Sequence, residues 1–169
     1  MEGMVRFDEK DREILETLRK EGRITLTELG RRLGLSPASV KNRIDKLKEL
    51  GAIRGFSAVI DPSFLERYVK VFMLLKLKAE DPDVDRVLSK FAALDNVQAV
   101  YRTTGRTQVL IIAEFEDMDE MKRFAGRLKG SLGSLLEYIE WGTIYDSLKE
   151  CWVTTGKRGS FHGRKGGYI

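Results

Sequence analysis

Only Gly34-Leu35 separates two stretches that both carry helical hydrophobic spacing. The first opens at Thr25, with Glu28 three residues on, a spacing at which each side chain can satisfy the other's orphan backbone N–H. Leu26, Leu29 and Leu33 form its apolar stripe, and Gly34 is placed to end it as a left-handed cap. The second opens at Ser36, an N-cap, with Pro37 at the first helical position, where its missing N–H costs nothing. Val40, Ile44 and Leu47 share one face, and Gly51 stops the helix after Leu50. So short a link forces a sharp angle, the helix-turn-helix arrangement. A third helix precedes these two: Asp8 caps it, Asp11 meets the positive dipole end, and Ile14, Leu15 and Leu18 line one side before Gly22.

At about 100° per residue, the face opposite Val40, Ile44 and Leu47 shows Ala38, Asn42, Asp45 and Glu49 to solvent. Ser39 and Lys46 flank it on one side, Lys41 and Lys48 on the other, and Arg43 lies nearer the buried stripe. The leading half is therefore free of acids. Charge gathers here too: residues 30–56 hold seven Lys/Arg against two acids, residues 57–150 thirteen against sixteen, and residues 151–169 four against none, within a net charge of +4. That pattern fits a polyanion held by one part of the molecule. Ser39, Lys41, Asn42 and Lys46 are the candidate base or phosphate contacts, Ser36 and Pro37 fix the helix start, and Arg43 is a further candidate for phosphate. Free N–H groups at the helix start can hold a phosphate as well. A charged outer face also suits any soluble amphipathic helix. The two caps, the tight turn and the local charge together favour double-stranded DNA as the partner.

The run Asp8 … Asp11-Arg12-Glu13-Ile14-Leu15 … Gly22-Arg23-Ile24 … Glu28-Leu29 … Leu33-Gly34-Leu35-Ser36 … Val40 … Arg43-Ile44 … Leu47 … Gly51-Ala52-Ile53 resembles the N-terminal half of the Lrp/AsnC (leucine-responsive, feast/famine) transcription regulators. The resemblance implies a winged helix-turn-helix that binds DNA as a dimer or larger assembly, with residues 36–50 as the DNA helix. Members of that family regulate amino-acid metabolism, among other genes.

Residues 53–60 read as an extended strand, closed by the Asp61-Pro62 turn. Arg54 there is open to two readings, a phosphate contact or a solvated strand residue. From Tyr68 the period becomes two: Val69, Val71, Met73, Leu75 and Leu77 alternate with Lys70, Phe72, Leu74, Lys76 and Lys78. Asp81-Pro82 starts a helix with Val84, Val87, Leu88 and Phe91 inward. A second strand at 97–104, a turn at Gly105-Arg106-Thr107, a third strand at 109–115, a helix at 118–128, a loop broken by Gly130 and Gly133, and a last strand at 136–145 follow. The order βαββαβ predicts an α+β chain: the helix-turn-helix domain at 5–55, a connecting strand and hinge at 56–67, a ferredoxin-like domain at 68–150, and a basic, Gly-rich tail at 151–169.

Two helices cover one face of a four-stranded sheet. The other face carries Phe72 and Leu74, and the third strand is apolar on both sides. Such a patch marks an association surface, which predicts a two-fold pairing of two copies sheet to sheet; a fold-back of the C-terminal segment over the same face is the alternative. The order of elements extends the family resemblance to about residues 5–150.

Family members that bind an amino acid usually carry Thr-Gly-x-x-Asp in the turn between the middle strands. Here the run is Thr104-Gly105-Arg106-Thr107-Gln108, so an amide stands where a carboxylate would meet an ammonium group. Gly105, Arg106, Thr107 and Gln108 are the candidate effector contacts. Arg106 can attract an anion or stay solvated, and Gly105 can simply supply the turn conformation.

The 169 residues suffice for one domain or two small ones, and 42% hydrophobic against 33% charged residues excludes a disordered tail or a membrane protein. No signal peptide or run of 18 apolar residues is present, so the cytoplasm is the expected place. One Cys (Cys151) and one His (His162) exclude an internal disulfide and supply too few ligands for zinc, so no metal and no cofactor are expected. Gly126 to Ser131 lacks the spacing of a phosphate-binding loop. A second reading is an enzyme, since some haem-biosynthesis decarboxylases resemble this family in both domains, but His162 among glycines is a poor catalytic group. A third is an assembly partner that does not bind DNA. Residues 156–169, with five Gly and four basic groups, read as a flexible arm on DNA phosphates or as an idle tail.

Overall fold

The computed structural model describes residues 7–154. These fall into two compact units, 7–59 together with 148–154, and 60–147.

In the first unit, α1 (Glu9–Lys20), α2 (Leu26–Leu33) and α3 (Pro37–Glu49) enclose one core of Ile14, Leu29, Leu33, Val40, Ile44 and Leu47. Each helix has the cap its sequence offers. Asp8 and Asp11 form a reciprocal capping box on α1, and Ser36 caps α3 ahead of Pro37. Thr25 caps α2 by accepting from Glu28 N at 3.1 Å. The expected return bond from Glu28 is not made; its carboxylate turns to Arg31 and Arg32 instead, because two guanidinium groups attract it more strongly than one amide. Leu26 is also not part of the stripe, being 37% exposed. Gly30 is buried in its stead, since a Cβ there would stand 2.5 Å from Leu35 O, where the turn passes over α2. Gly34 has the expected left-handed backbone (φ 67°). Past α3, Ala52 N reaches Leu47 O and Gly51 N reaches Lys48 O, a Schellman closure with Gly51 at φ 69°.

The strand expected at 53–60 does not form. The segment lies outside any ladder and is largely exposed, Phe56 at 53%. Extended backbone becomes a strand only when a neighbour takes its N–H and C=O groups, and no strand flanks it among the described residues.

In the second unit, β1 (Val69–Leu77), α4 (Pro82–Ala92), β2 (Val97–Arg102), β3 (Val109–Phe115), α5 (Met118–Leu132) and β4 (Leu136–Thr143) give βαββαβ. The sheet order is β2-β3-β1-β4, fully antiparallel, the ferredoxin-like topology. Alternate residues of β1 and β3 (Val71, Met73, Leu75; Val109, Ile111, Phe115) pack under Val84, Leu88 and Phe91 of α4 and Met121, Phe124 and Leu128 of α5. The strands β2 and β4 end two residues earlier than expected. The helix α5 runs four residues further, through Gly130, and ends at Gly133. Burying Leu132 extends the 3.6-residue stripe, and its transfer free energy (about 1.5–3 kcal/mol) outweighs the ~1 kcal/mol glycine penalty. On the open face of the sheet, Phe72, Leu74, Leu110 and Ile112 are half-buried, with Lys70 paired to Glu114 at 3.4 Å.

The first residues assigned to a tail are structured. Lys149–Glu150 (β5) and Val153–Thr154 (β6) form a two-residue-turn hairpin. The rest of that segment, 155–169, lies outside the described residues.

Candidate nucleic-acid interface

The chemistry of α3 is divided by its geometry. Val40, Ile44 and Leu47 are held in the core, which turns Ser36, Pro37, Ser39, Lys41, Asn42 and Lys46 outward. No acid stands in the first turn. Pro37 has no N–H, Ser36 Oγ accepts from Ser39 N, and Ser36 O accepts from Val40 N. The exposed leading end therefore keeps the Ala38 N–H, not the several free donors expected from a bare helix start. Ser36 Oγ and Ser39 Oγ lie 2.9 Å apart.

The lysines are not equivalent. Lys41 donates to Asp45 at 2.8 Å, with Lys48 on the other carboxylate oxygen at 4.0 Å. The Lys41 ammonium beside Asp45 holds that carboxyl below the usual range and is itself raised by it. Lys46 makes no ion pair among the described residues, so its charge is uncommitted.

Arg43 is half-buried and tied down: the same guanidinium nitrogen donates to Asp8 Oδ2 and Asp11 Oδ1, both at 2.7 Å. Asp11 is only 5% exposed, a buried polar group satisfied by this contact and by its bond from Asp8 N. The Asp8 carboxyl is held below the ordinary carboxylate range, first by its bond from Asp11 N and then by Arg43. Two carboxylates beside the exposed face of α3 would repel an anion there; Arg43 neutralises part of that charge. A groove of about 470 Å³ opens here, lined by Asp8, Asp11, Ser39, Asn42, Arg43 and Lys46. Nothing local in the sequence ties Asp8 and Asp11 to Arg43, so this clamp is the feature of the candidate site that sequence reasoning missed.

In the second unit the four turn residues stay together. Gly105 has φ +106°, and Thr103 closes the turn by donating to Thr107 O at 2.8 Å. The Gln108 side chain is occupied at both ends: Oε1 accepts from Leu77 N (2.9 Å) and Nε2 donates to Gly105 O (3.0 Å). The Leu77 N–H is available because the β1–β3 ladder ends at Leu75/Val109. A carboxylate at this position could take the first bond but not make the second. Arg106 is exposed, its Nε 3.2 Å from Tyr138 Oη. A separate cavity of about 400 Å³ lies between α5 and β4, lined by Gly126, Lys129, Tyr138, Ile139 and Trp141; none of the four turn residues lines it.

Residues 7–54 match a family described as winged helix-turn-helix DNA-binding, and residues 70–133 match the Lrp/AsnC ligand binding domain. An HTH-type transcriptional regulator of Pyrococcus horikoshii is 39% identical over 153 residues, covering 89% of this chain and 99% of that protein. The leucine-responsive regulatory protein of Klebsiella pneumoniae is 32% identical, covering 71% and 74%. The chain belongs to the Lrp/AsnC family of helix-turn-helix transcription regulators. Solved structures agree on the fold. AsnC of E. coli superposes with a TM-score of 0.66 at 26% identity, covering 86% of this chain and 96% of that one. The L-Met complex of a regulator from Neisseria meningitidis gives 0.69 at 23% identity, covering 86% and 94%. No helix of the described residues is long and apolar enough to cross a membrane.

Proposed function

We propose that this regulator reads duplex DNA with the leading half of α3. Asn42 and Ser39 face base edges in the major groove, and Lys46 holds a phosphate. Lys41 supplies charge at the rim while paired to Asp45. Ser36 and Pro37 set the helix start. Arg43 acts from behind, fixing α3 on α1, and is a positioning residue rather than a phosphate contact. The observation that carries this reading is the exposure of Ser39, Asn42 and Lys46 on the side of α3 opposite its three core residues. Selection of bound fragments from a random DNA pool tests it. An enriched two-fold motif with half-sites about 34 Å apart, or a multiple, is expected; a pool that stays random removes the specificity.

Two copies pair through the open face carrying Phe72, Leu74, Leu110 and Ile112, which supplies the two-fold axis of such a site. The 70–133 unit senses a small ligand. Support comes from its match to a ligand-binding family and from a fold neighbour crystallised with L-Met. With the Gln108 amide engaged internally, the turn offers Arg106 to a carboxylate and no acid to an ammonium group. Titration calorimetry with an amino-acid panel decides this; no heat across the panel ends the amino-acid reading. The regulator works in the cytoplasm without a catalytic step. The decarboxylase alternative is not favoured, since both halves match regulator families.

A further inference from the structure

We propose that Trp152, seated on Arg19, sets how strictly this regulator measures the distance between its two half-sites. The inference rests on α3 binding DNA and on two copies pairing through the second unit, and it concerns residues that neither reading uses.

The chain crosses between its two units twice. It leaves the helical unit after Val59 and enters the second at Ile60, then leaves that unit after Ser147 and returns to the helical one at Leu148. The two connections differ in slack. On the outward path, Ile53 packs against the helical core and Pro62 is buried in the second unit, nine residues on. Fully extended, that path allows about 30 Å. Counted from Phe56, whose ring lies 5.7 Å from Lys48 Nζ, six residues remain, or about 20 Å. The return path is tighter. Ile144 N donates to Lys70 O at 2.8 Å, which holds it to β1, and Lys149 opens the β5–β6 hairpin five residues later. That path allows about 17 Å.

The return path restrains the helical unit only while the hairpin is fixed to it, and the Trp152 ring is the anchor. The Arg19 guanidinium, in the last turn of α1, lies 4.0 Å from the centre of that ring, and Lys149 Nζ lies 5.5 Å from it. A cation over an indole face is attracted by the ring quadrupole. Arg19 is itself steadied by its bond to Glu16, one turn back on α1. Cys151 and Trp152 both hold positive φ (46° and 69°), which the tightest hairpin turns require and side chains disfavour. A single chain lets the body it carries turn about it; a second chain must wind round the first with every turn. While both hairpins are seated, two paired copies therefore present their α3 helices over a narrow range of separations and angles. Duplex DNA probes that range, because each added base pair shifts a half-site by about 3.4 Å and turns it by about 35°.

The test uses the full chain and labelled duplexes, with affinity read by anisotropy. The duplexes carry the selected site, the same site with one, two or three base pairs inserted between its half-sites, or a single half-site. The readout is the ratio of affinities for the selected and the altered spacing, in which a general loss of charge or of folded protein cancels. Wild type should lose about tenfold or more on insertion of two base pairs, because a half-site out of reach forfeits the gain from linked binding. Trp152→Ala keeps every charge and should shrink that ratio by about threefold or more, with single-half-site affinity unchanged. Arg19→Gln keeps the ring, removes its cation and should shrink the ratio likewise. Should Trp152→Ala lose the single half-site as well, Arg19→Gln decides alone. Otherwise a wild-type ratio in either variant overturns the proposal and leaves the α3 reading in place. A wild type indifferent to spacing overturns it too, since there is then no strictness to set. A wild type that binds no duplex overturns the α3 reading and this one together.

Discussion

Arg43 of α3 and Asp11 of α1 are 32 residues apart in sequence and 2.7 Å apart in the fold. The pair joins the helix proposed to enter DNA to the helix that supports it, and it does so at a carboxylate that is almost wholly out of water. Arg43→Ala would leave Asp11 buried without its cation. The helical unit should lose about 1–3 kcal/mol, the cost of stranding a charged partner. Lys46→Ala, on the open surface, should stay within about 0.5 kcal/mol. Urea unfolding followed by circular dichroism compares them; equal midpoints for Arg43→Ala and wild type would refute the clamp.

Asn42 and Lys46 line the same groove but should fail differently. Asn42→Ala should cost about 1–3 kcal/mol on the selected site and little on random DNA, since an amide reads base edges. Lys46→Ala should weaken both equally and flatten the salt slope by about one unit. If the two variants lose affinity in the same proportion on both duplexes, the division of roles on α3 is wrong.

Acid should loosen the helical unit through Glu28. Its hydrogen bonds from Arg31 and then Arg32 hold the carboxyl at about 2, against an ordinary 4.5. The folded-state value is the lower one, so the unfolded chain takes up the proton first. The stabilisation is complete above about pH 4.5 and is lost as pH falls toward about 2. Asp8, Glu21 and Asp45 are lowered too and act in the same direction. Glu28→Gln should therefore show a shallower fall of Tm between pH 5 and pH 2, and added salt should shrink the difference because the pairs are exposed. An unaltered fall in Tm would count against these pairs.

Gln108→Glu changes one donor to an acceptor at nearly constant shape. Leu77 N keeps its partner, but the bond to Gly105 O is broken. The ferredoxin-like unit should lose roughly 1 kcal/mol, and amide exchange at Thr107 and Gln108 should quicken. Exchange rates identical to wild type would show that the amide does not brace the turn.

Ile112 stands on the open face opposite Phe72 of β1. If two copies bury that face, Ile112→Lys removes an apolar side chain from it twice by symmetry. A loss of about 3 kcal/mol or more is expected, over a hundredfold in the dissociation constant. Sedimentation velocity reads it directly. A wild-type protein that is monomeric at high micromolar concentration disposes of the sheet-to-sheet pairing.

Much of this architecture is written in short-range signals. Ser36-Pro37, Gly34 and the Asp8/Asp11 pair act within four residues, so these helix starts and the end of α2 could be read directly. The period-two run of β1 and the largely apolar β3 named the sheet and its two faces, because alternation is a local property of a pleated strand. The charge balance marked α3 for the same reason: a net charge needs no fold to be counted. Where local rules failed, a distant partner had outvoted them. Glu28 left its capping box for two arginines, Gly130 stayed helical because Leu132 found a core, and residues 53–60 had no strand to pair with.

The sequence alone determined the order of two units, their helix caps and which helix shows an acid-free face. Tertiary structure decided that Arg43 braces α3, that Gln108 engages its amide inside the turn, and that Trp152 returns to α1. Those contacts join residues that neither periodicity nor spacing relates, since their proximity exists only after the cores have closed and fixed where each side chain points.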